Sequence, residues 1–199
     1  ILLTSLFSSC DSCVISEADR LVLQKFWHYA QTNHLEEQET GERISSIARF
    51  FLDTPYKSNT LNTADGEKLI VNLRELDCVT FVENVLALAF LPEYTSSSED
   101  TFKKNLQKIR YRDGIIEDFT SRLHYSSDWL YEMQQNLLLK DITADLGGIK
   151  HTKEINFMSG HHELYPALKN NPQLLTKIKN MEDSINKRTR YYIQKSDID

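Results

Sequence analysis

The chain has 199 residues and a mass of 23.2 kDa, with 40% apolar residues and few glycines (6) or prolines (4), which favours a helix-rich globular fold. Its 23 basic and 29 acidic residues give a net charge of −6, and nucleic acid is therefore not expected as a partner, since phosphate binding needs positive charge. The longest wholly apolar stretch, residues 85–91, is far below the roughly 20 residues that span a bilayer.

The first ten residues, ILLTSLFSSC, have two interpretations. An apolar run that closes on small residues before a cysteine is typical of the end of a bacterial lipoprotein signal, with Cys10 as the lipidated residue. In the other interpretation, residues 2–7 begin a buried helix and Cys10 is an ordinary small apolar residue. We favour the first, because the polar residues 8–12 suit a tether. Residues 1–13 are then a partial signal or tether, and residues 14–199 form the folded part.

The three cysteines are Cys10, Cys13 and Cys78, and this odd number in a chain of this size excludes a disulfide scaffold. Cys10 and Cys13 form a CxxC pair, but no second pair or histidine cluster follows to complete a zinc site. The chain also lacks a glycine-rich phosphate loop. We therefore expect no metal and no cofactor.

The periodicity of apolar residues predicts helices at residues 15–32, 40–51, 77–91, 101–109, 127–139, 156–168 and 172–186. Short strands are predicted at residues 69–73, after residue 141, and at residues 188–193. Ser16 and Asp77 are the predicted N-caps of the first and third helices. The third helix is so apolar that we expect it to be buried on nearly all sides.

Cys78 is the most informative residue for chemistry. If Asp77 caps the helix, Cys78 lies in its first turn, where unpaired N–H groups and the helix dipole stabilise a thiolate. Glu75 and Asp77 oppose this effect, so a cationic or histidine partner is also needed. The alternative is that Cys78 is simply a buried helix-start residue beside Val79, Phe81 and Val82.

Among the six histidines, His124 differs from the others in its surroundings. His28 and His34 flank the end of the first helix and are expected to face solvent, whereas His161 and His162 fit a capping or surface role. His124 lies in SRLHYSSDW, which concentrates donors, aromatic rings and a cation between periodic segments. Such a cluster is typical of a polar-ligand site, although a surface network remains the other interpretation.

Six segments together resemble a known bacterial family: LDTPYKSNTL (52–61), LIVNLRELDCVTFVENVLALA (69–89), YRDG (111–114), SRLHYSSDWL (121–130), KDIT (140–143) and FMSGHHELYPAL (157–168). The sequence is identified as a member of the N-acetylmuramoyl-L-alanine amidase-like family, within the NlpC-type cysteine peptidase superfamily. The resemblance implies an α+β fold, predominantly helical here: the helical half of a papain-like fold, with the β-sheet half largely missing. Residues 14–199 are then the N-terminal helical part of an amidase-like catalytic domain.

The resemblance also implies roles for individual residues. Cys78 matches the family nucleophile, and Tyr56 matches the tyrosine that faces it and contacts substrate. Acidic support on either side of the nucleophile comes from Asp77 and Glu83. The residues implied for substrate binding are Arg122, His124, Tyr125 and Trp129, with later supporting positions at Ser159 and His161.

Two departures from the family pattern stand out. The loop after Tyr56 usually carries a glycine, where this chain has Ser58 and Asn59 before Thr60. The family's catalytic histidine lies on a later strand, which the resemblance places beyond residue 199. General-base help is worth about 100- to 10,000-fold, so we expect little turnover from this chain alone. We expect His124 to be a substrate ligand rather than a substitute base.

The function implied is that of a peptidoglycan hydrolase that cleaves the bond between N-acetylmuramic acid and L-alanine in muropeptides. We expect a periplasmic or outer-membrane lipoprotein that contacts the membrane only through a lipid on Cys10. Two alternatives stay open. The chain is a non-catalytic cell-wall-binding or interaction fragment, or it belongs to an endopeptidase that acts next to D-Glu.

Overall fold

The computed structural model describes residues 13–63 and 66–198, and Cys10 with its predicted lipid lies outside these residues. The chain divides into two compact units, an N-terminal unit that ends at Arg110 and a C-terminal unit that begins at Tyr111. Helices dominate the described secondary structure, beside two small two-stranded sheets, which confirms the α+β, predominantly helical class. No helix in the described part is long and apolar enough to cross a membrane.

The N-terminal unit is built around its third helix. Its elements are β1 (Cys13–Ile15), α1 (Glu17–Thr32), α2 (Thr40–Phe50), β2 (Leu69–Val71), α3 (Cys78–Ala89) and α4 (Glu99–Arg110). Helix α3 packs against both α2 and α4, and α1 packs against α2. The core between them is fully buried and apolar, with members that include Phe26, Ile47, Leu88, Phe102 and Leu106. This packing fixes the position of the N-terminus of α3.

Two expectations for this unit are wrong and one is confirmed. Ile15 belongs to β1, which pairs in parallel with β2, instead of beginning the first helix. The predicted cap is present, since the Ser16 hydroxyl accepts a hydrogen bond from the backbone N–H of Asp19 at 3.1 Å. Helix α3 is not buried on nearly all sides: Val79 and Val82 are 45% and 41% exposed, because α2 and α4 leave one face of its first two turns uncovered.

The C-terminal unit has its own apolar core. Its elements are α5 (Ser126–Gln135), β3 (Ile149–Lys150), α6 (Phe157–Gly160), α7 (Pro172–Asn186) and β4 (Tyr191–Tyr192), with β3 and β4 antiparallel. Met158, Leu168 and Ile178 are buried together, and partly buried side chains surround them: Phe119, Tyr125, Tyr165, Leu174 and Met181. Helix α7 supplies one wall of this core and matches its predicted bounds.

Two other predicted elements of this unit differ from the structure. The helix expected over residues 127–139 ends at Gln135, and Leu137 then takes a left-handed φ of 56° that stops propagation. The strand expected after residue 141 is a turn. Asp141 accepts hydrogen bonds from the backbone N–H and the hydroxyl of Thr143, at 2.9 and 2.6 Å, which competes with strand pairing.

The helix expected over residues 156–168 is broken. Helix α6 stops at Gly160, and a 3-10 turn at His162–Leu164 follows it. Pro166 explains the second stop, because a proline disfavours the helical conformation of the residue before it. Tyr165 accordingly takes an extended backbone, with φ −110° and ψ 107°.

A buried ion pair joins three elements of the N-terminal unit. Glu83 of α3 accepts a hydrogen bond from the Arg110 Nε of α4 at 2.7 Å, and both side chains are buried. Arg110 also donates to the carbonyl of Ile70 in β2 at 2.6 Å. A buried charge is tolerated only when it is paired, so neither side chain can be removed alone without cost.

We expect Glu83→Leu to lower the free energy of unfolding by about 3–5 kcal/mol, because it leaves the Arg110 charge buried and unpaired. Urea denaturation measures this loss. The matched control is Lys140→Ala, which breaks the exposed pair between Lys140 and Asp145 and should change stability little. Equal losses in the two variants would contradict the role of the buried pair.

Candidate active site

Cys78 is the first residue of α3 and is exposed, which overturns the interpretation that it is a buried helix-start residue. Asp77 is the predicted N-cap: its carboxylate accepts from the backbone N–H groups of Val79 and Thr80 at 3.1 and 2.8 Å. The Thr80 hydroxyl accepts from the backbone N–H of Asp77 at 2.9 Å, which completes a capping box. Cys78 is thus held between two reciprocally bonded residues.

A groove of about 230 Å³ opens beside Cys78, lined by Phe51, Thr54, Tyr56, Leu76, Asp77, Cys78 and Phe81. Tyr56 lies at its edge with 75% of its surface exposed. The structure therefore brings Tyr56, Asp77 and Cys78 together, as the family pattern implies. Phe51 directly follows α2 and is mostly buried, and only the packing of α2 beside α3 gives it a place in this groove.

The backbone on either side of the groove is fixed by a short parallel bridge between Tyr56 and Leu76. Leu76 donates its N–H to the carbonyl of Pro55 at 3.0 Å and accepts from the N–H of Lys57 at 3.1 Å. The Lys57 ammonium lies 2.8 Å from the Glu75 carboxylate and holds the pKa of that carboxyl below its usual range. These contacts place Tyr56 next to the start of α3.

In the loop after Tyr56, an asparagine adopts the backbone conformation for which a glycine is usually required. Asn59 takes a left-handed φ of 61°. Asparagine is one of the few residues that adopts this conformation readily, since its short polar side chain bonds locally. The departure at Ser58 and Asn59 therefore still allows a left-handed turn.

Glu83 does not line the groove. Its carboxylate is engaged in the buried pair with Arg110, so its support for Cys78 is indirect and consists of holding α3 against α4. The family pattern implied that Glu83 supports Cys78 from the same helix, but it did not reveal the partner of Glu83. Arg110 lies 27 residues away, and no local pattern links the two.

His124 belongs to the C-terminal unit, where its ring lies 4.2 Å from the ring of Phe119. Its Nε2 lies 2.7 Å from the carbonyl oxygen of Phe119, to which it donates when that nitrogen carries the proton. Burial lowers the pKa of His124 to about 4. A histidine with so low a pKa is neutral at pH 7 and accepts protons weakly, which supports a binding role over that of a base.

Tyr125 uses its hydroxyl inside the protein. The hydroxyl donates to the carboxylate of Glu182 at 2.7 Å and accepts from the backbone N–H of Met158 at 2.9 Å. Burial and the Glu182 carboxylate raise the pKa of Tyr125 well above its usual range. The hydroxyl therefore serves to hold the segment around α6, which leaves the aromatic ring as the part of Tyr125 for the predicted substrate contact.

Glu182 is the residue that the sequence interpretation missed in this unit. It is 3% exposed and also accepts from the backbone N–H of Ser159 at 3.1 Å, so it ties Ser159 to Tyr125. A signal was present: Glu182 lies between Ile178 and Ile185 on the apolar face of α7, where an acidic residue needs a buried partner.

The remaining predicted residues are also in the C-terminal unit. The Arg122 guanidinium lies over the Phe119 ring at 5.4 Å from its centre. The indole N–H of Trp129 is buried and has no hydrogen-bond partner among the described groups. His161 is exposed and stacks on Phe157, with ring centres 4.4 Å apart. Cys78 and Tyr56 thus belong to the N-terminal unit, and the other four predicted substrate residues, Arg122, His124, Tyr125 and Trp129, belong to the C-terminal unit.

One group of potential metal ligands occurs in the part of the chain that the structure describes. His34, Glu36 and Glu37 bring their ligand atoms within 4.8 Å of one another, and all three are exposed. Exposed acidic groups of this kind are common without an ion, and the group is not part of the groove at Cys78.

The low pKa of His124 predicts a pH-dependent stability. The unfolded chain gains a proton at this residue near pH 6.5, whereas the folded chain gains it only near pH 4. Stability from neutral His124 is complete above about pH 6.5 and is lost as the pH falls towards 4, by at most about 3 kcal/mol. His124→Gln should reduce this loss in urea denaturation measured between pH 7 and 4. The control is His28→Gln at an exposed position, and equal flattening there would contradict the assignment.

Comparison with known proteins identifies the family to which the chain is similar. The sequence profile of the AmiA-like, N-acetylmuramoyl-L-alanine amidase-like family matches residues 46–199. An N-acetylmuramoyl-L-alanine amidase from Bacteroides uniformis is similar, with 38% identity, a TM-score of 0.76, and coverage of 81% of this chain and 68% of that one. No curated protein matches the chain.

Two further solved structures are similar. A protein from Bacteroides fragilis with a provisional xylanase name has 42% identity and a TM-score of 0.72, over 77% of this chain and 67% of that one. A protein from Legionella pneumophila shares the fold at 21% identity and a TM-score of 0.58, over 88% of this chain and 60% of that one. The family match covers most of this chain. The chain therefore belongs to the N-acetylmuramoyl-L-alanine amidase-like family.

Proposed function

We propose that this chain carries the nucleophile of a cysteine amidase that cleaves the bond between N-acetylmuramic acid and L-alanine in muropeptides. The observation that carries the proposal is the exposed thiol of Cys78 at the capped start of α3, in a groove that it shares with Tyr56. The family, and the amidase name of the relative from Bacteroides uniformis, support the substrate class.

The reaction would proceed through a thioester. The Cys78 thiolate attacks the carbonyl carbon of the lactyl amide, and the C–N bond then breaks as the alanine amine takes up a proton and leaves. Water next attacks the thioester, which releases the lactyl carboxylate and returns the thiol. Both steps pass through a tetrahedral oxyanion, so a hydrogen-bond donor near the thiol is required.

Most backbone N–H groups at the start of α3 already have hydrogen-bond partners, which limits the groups that could be this donor. The N–H groups of Val79 and Thr80 bond the Asp77 carboxylate, and the N–H of Phe81 bonds the Asp77 carbonyl. In the described part of the chain, the backbone N–H of Cys78 has no such partner. We assign this N–H to the oxyanion.

The described part of the groove does not offer a histidine as the base. Its described lining contains no histidine, and the low pKa of His124 makes that residue a poor substitute. The family pattern assigns the base to a histidine on a later strand, which would also protonate the leaving amine. Arg122, His124 and Trp129 are proposed to bind the peptide and sugar parts of the substrate.

The groove favours thiol chemistry over glycoside hydrolysis. Glycosidases of the common type use two carboxyl groups about 5–9.5 Å apart. Asp77 is the one carboxylate in the described lining, and its role is to cap α3. The endopeptidase and the non-catalytic alternatives differ from the amidase in products, and mass spectrometry of digested muropeptides distinguishes them: free lactyl sugars with intact peptides, cut peptides, or no change.

In protein that carries the catalytic histidine of the family pattern, we expect Cys78→Ala to lower the rate of muropeptide hydrolysis by at least about 1000-fold, because no other thiol lines the groove in the described part of the chain. Product release is followed by chromatography and mass spectrometry. Cys13→Ala removes the other described cysteine, on β1, and should leave the rate unchanged. Persistent hydrolysis by Cys78→Ala would falsify the assignment of the nucleophile.

We also propose a lipid anchor on Cys10 and a periplasmic or outer-membrane location, from the apolar run before that residue. Intact mass of the protein from bacterial membranes should show a diacylglycerol addition and an N-acyl group, and Cys10→Ser should release the protein into the soluble fraction. An unmodified Cys10 in membrane-derived protein would exclude the anchor.

A further inference from the structure

The segment that delivers Cys78, residues 72–77, joins β2 to α3 without regular secondary structure. Its backbone N–H groups are nevertheless bonded. Asn72 accepts from the N–H groups of Arg74 and Glu75, both at 3.1 Å, in a tight local turn. The next two N–H groups bond to Pro55 and Thr80. The backbone that leads into the nucleophile is therefore fixed by specific contacts.

The contact that reaches farthest along the sequence comes from α1. Asp19 accepts a hydrogen bond from the backbone N–H of Leu73 at 3.0 Å and another from the Arg74 Nε at 3.1 Å. The separation in sequence is more than 50 residues. Asp19 is only 2% exposed, so its charge is tolerated because these groups, together with the Ser16 hydroxyl, satisfy its oxygens.

Removal of Asp19 would affect its two partners differently. The Arg74 side chain is 46% exposed and would be solvated by water without Asp19. Leu73 is 2% exposed, and its N–H would lose its acceptor in a buried position. The segment would then relax towards a position where this N–H bonds to water. Because Cys78 follows Leu73 by only five residues, this movement would also displace the nucleophile.

We propose that Asp19 is a positioning residue for the Cys78 nucleophile, acting through the backbone of residues 72–77. This inference rests on the proposed function for its catalytic consequence. A displacement of about 1 Å at a reacting atom costs on the order of 100-fold in rate. We expect Asp19 to affect the turnover rate far more than substrate affinity, since its side-chain hydrogen-bond partners, Ser16, Leu73 and Arg74, are not among the residues that line the groove.

The test compares three variants, studied in this chain for hydrogen exchange and in protein that carries the catalytic histidine of the family pattern for kinetics. Asp19→Ala removes both contacts, whereas Asp19→Asn keeps an acceptor for the Leu73 N–H and is the conservative rescue. The matched control is Leu35→Ala, which removes a comparably buried side chain from the 3-10 turn Leu35–Glu37, a turn that packs against α1 and α2. It reports what general destabilisation of the N-terminal unit does by itself.

Two measurements are made on each variant. Amide hydrogen exchange of residues 73–77 should be at least about tenfold faster in Asp19→Ala than in Leu35→Ala, and close to wild type in Asp19→Asn. With muropeptides, kcat should fall at least about tenfold in Asp19→Ala, while KM stays within about threefold and Asp19→Asn recovers most of the rate.

Equal exchange of residues 73–77 in Asp19→Ala and Leu35→Ala overturns the proposal, as does an equal fall of kcat in both. Failure of the proposed function is distinguishable, because it appears as hydrolysis that survives Cys78→Ala. In that case the exchange measurement still decides whether Asp19 holds the segment.

Discussion

The reciprocal cap between Asp77 and Thr80 is the contact on which the candidate site depends. A helix start leaves several N–H groups without partners, and here one carboxylate and one hydroxyl satisfy the backbone on both sides of Cys78. The cap sets the direction in which the thiol leaves the helix. It also occupies the N–H groups of Val79 and Thr80, which would otherwise be free to bind an anion.

The surroundings of the cap explain why it stays in place. Helix α3 lies between α2 and α4, and the pair of Glu83 and Arg110 joins it to α4 and β2 in a buried position. On the chain before the cap, Asp19 and Asn72 hold the backbone that leads into it. The open face of α3, with Val79 and Val82, is the consequence of this arrangement: one side of the helix is fixed in the core, and the side that carries the thiol is exposed.

The C-terminal unit uses buried charge in the same manner. Asp128 is fully buried and accepts from Arg112 and Arg188, and Arg188 also lies 3.7 Å from the centre of the Tyr131 ring. The RLHYSSDW segment thus contains one residue of this network, as well as the aromatic and basic residues that the family pattern assigns to substrate. Glu182, a second buried carboxylate of this unit, accepts hydrogen bonds from Tyr125 and Ser159 and so holds these two predicted residues in place.

Local signals in the sequence determined most of the helices, the caps at Ser16 and Asp77, and the exceptional status of Cys78, because helix period and capping depend on residues three or four positions apart. The tertiary structure alone decided the pairing of β1 with β2, the partners of Asp19, Glu83 and Glu182, and the exposure of Cys78. Each of these depends on residues that are far apart in the sequence. The sequence did not reveal the partners of the carboxylates at 19, 83 and 182, since a sequence pattern records the period of a helix but not the charge that a distant segment brings to it.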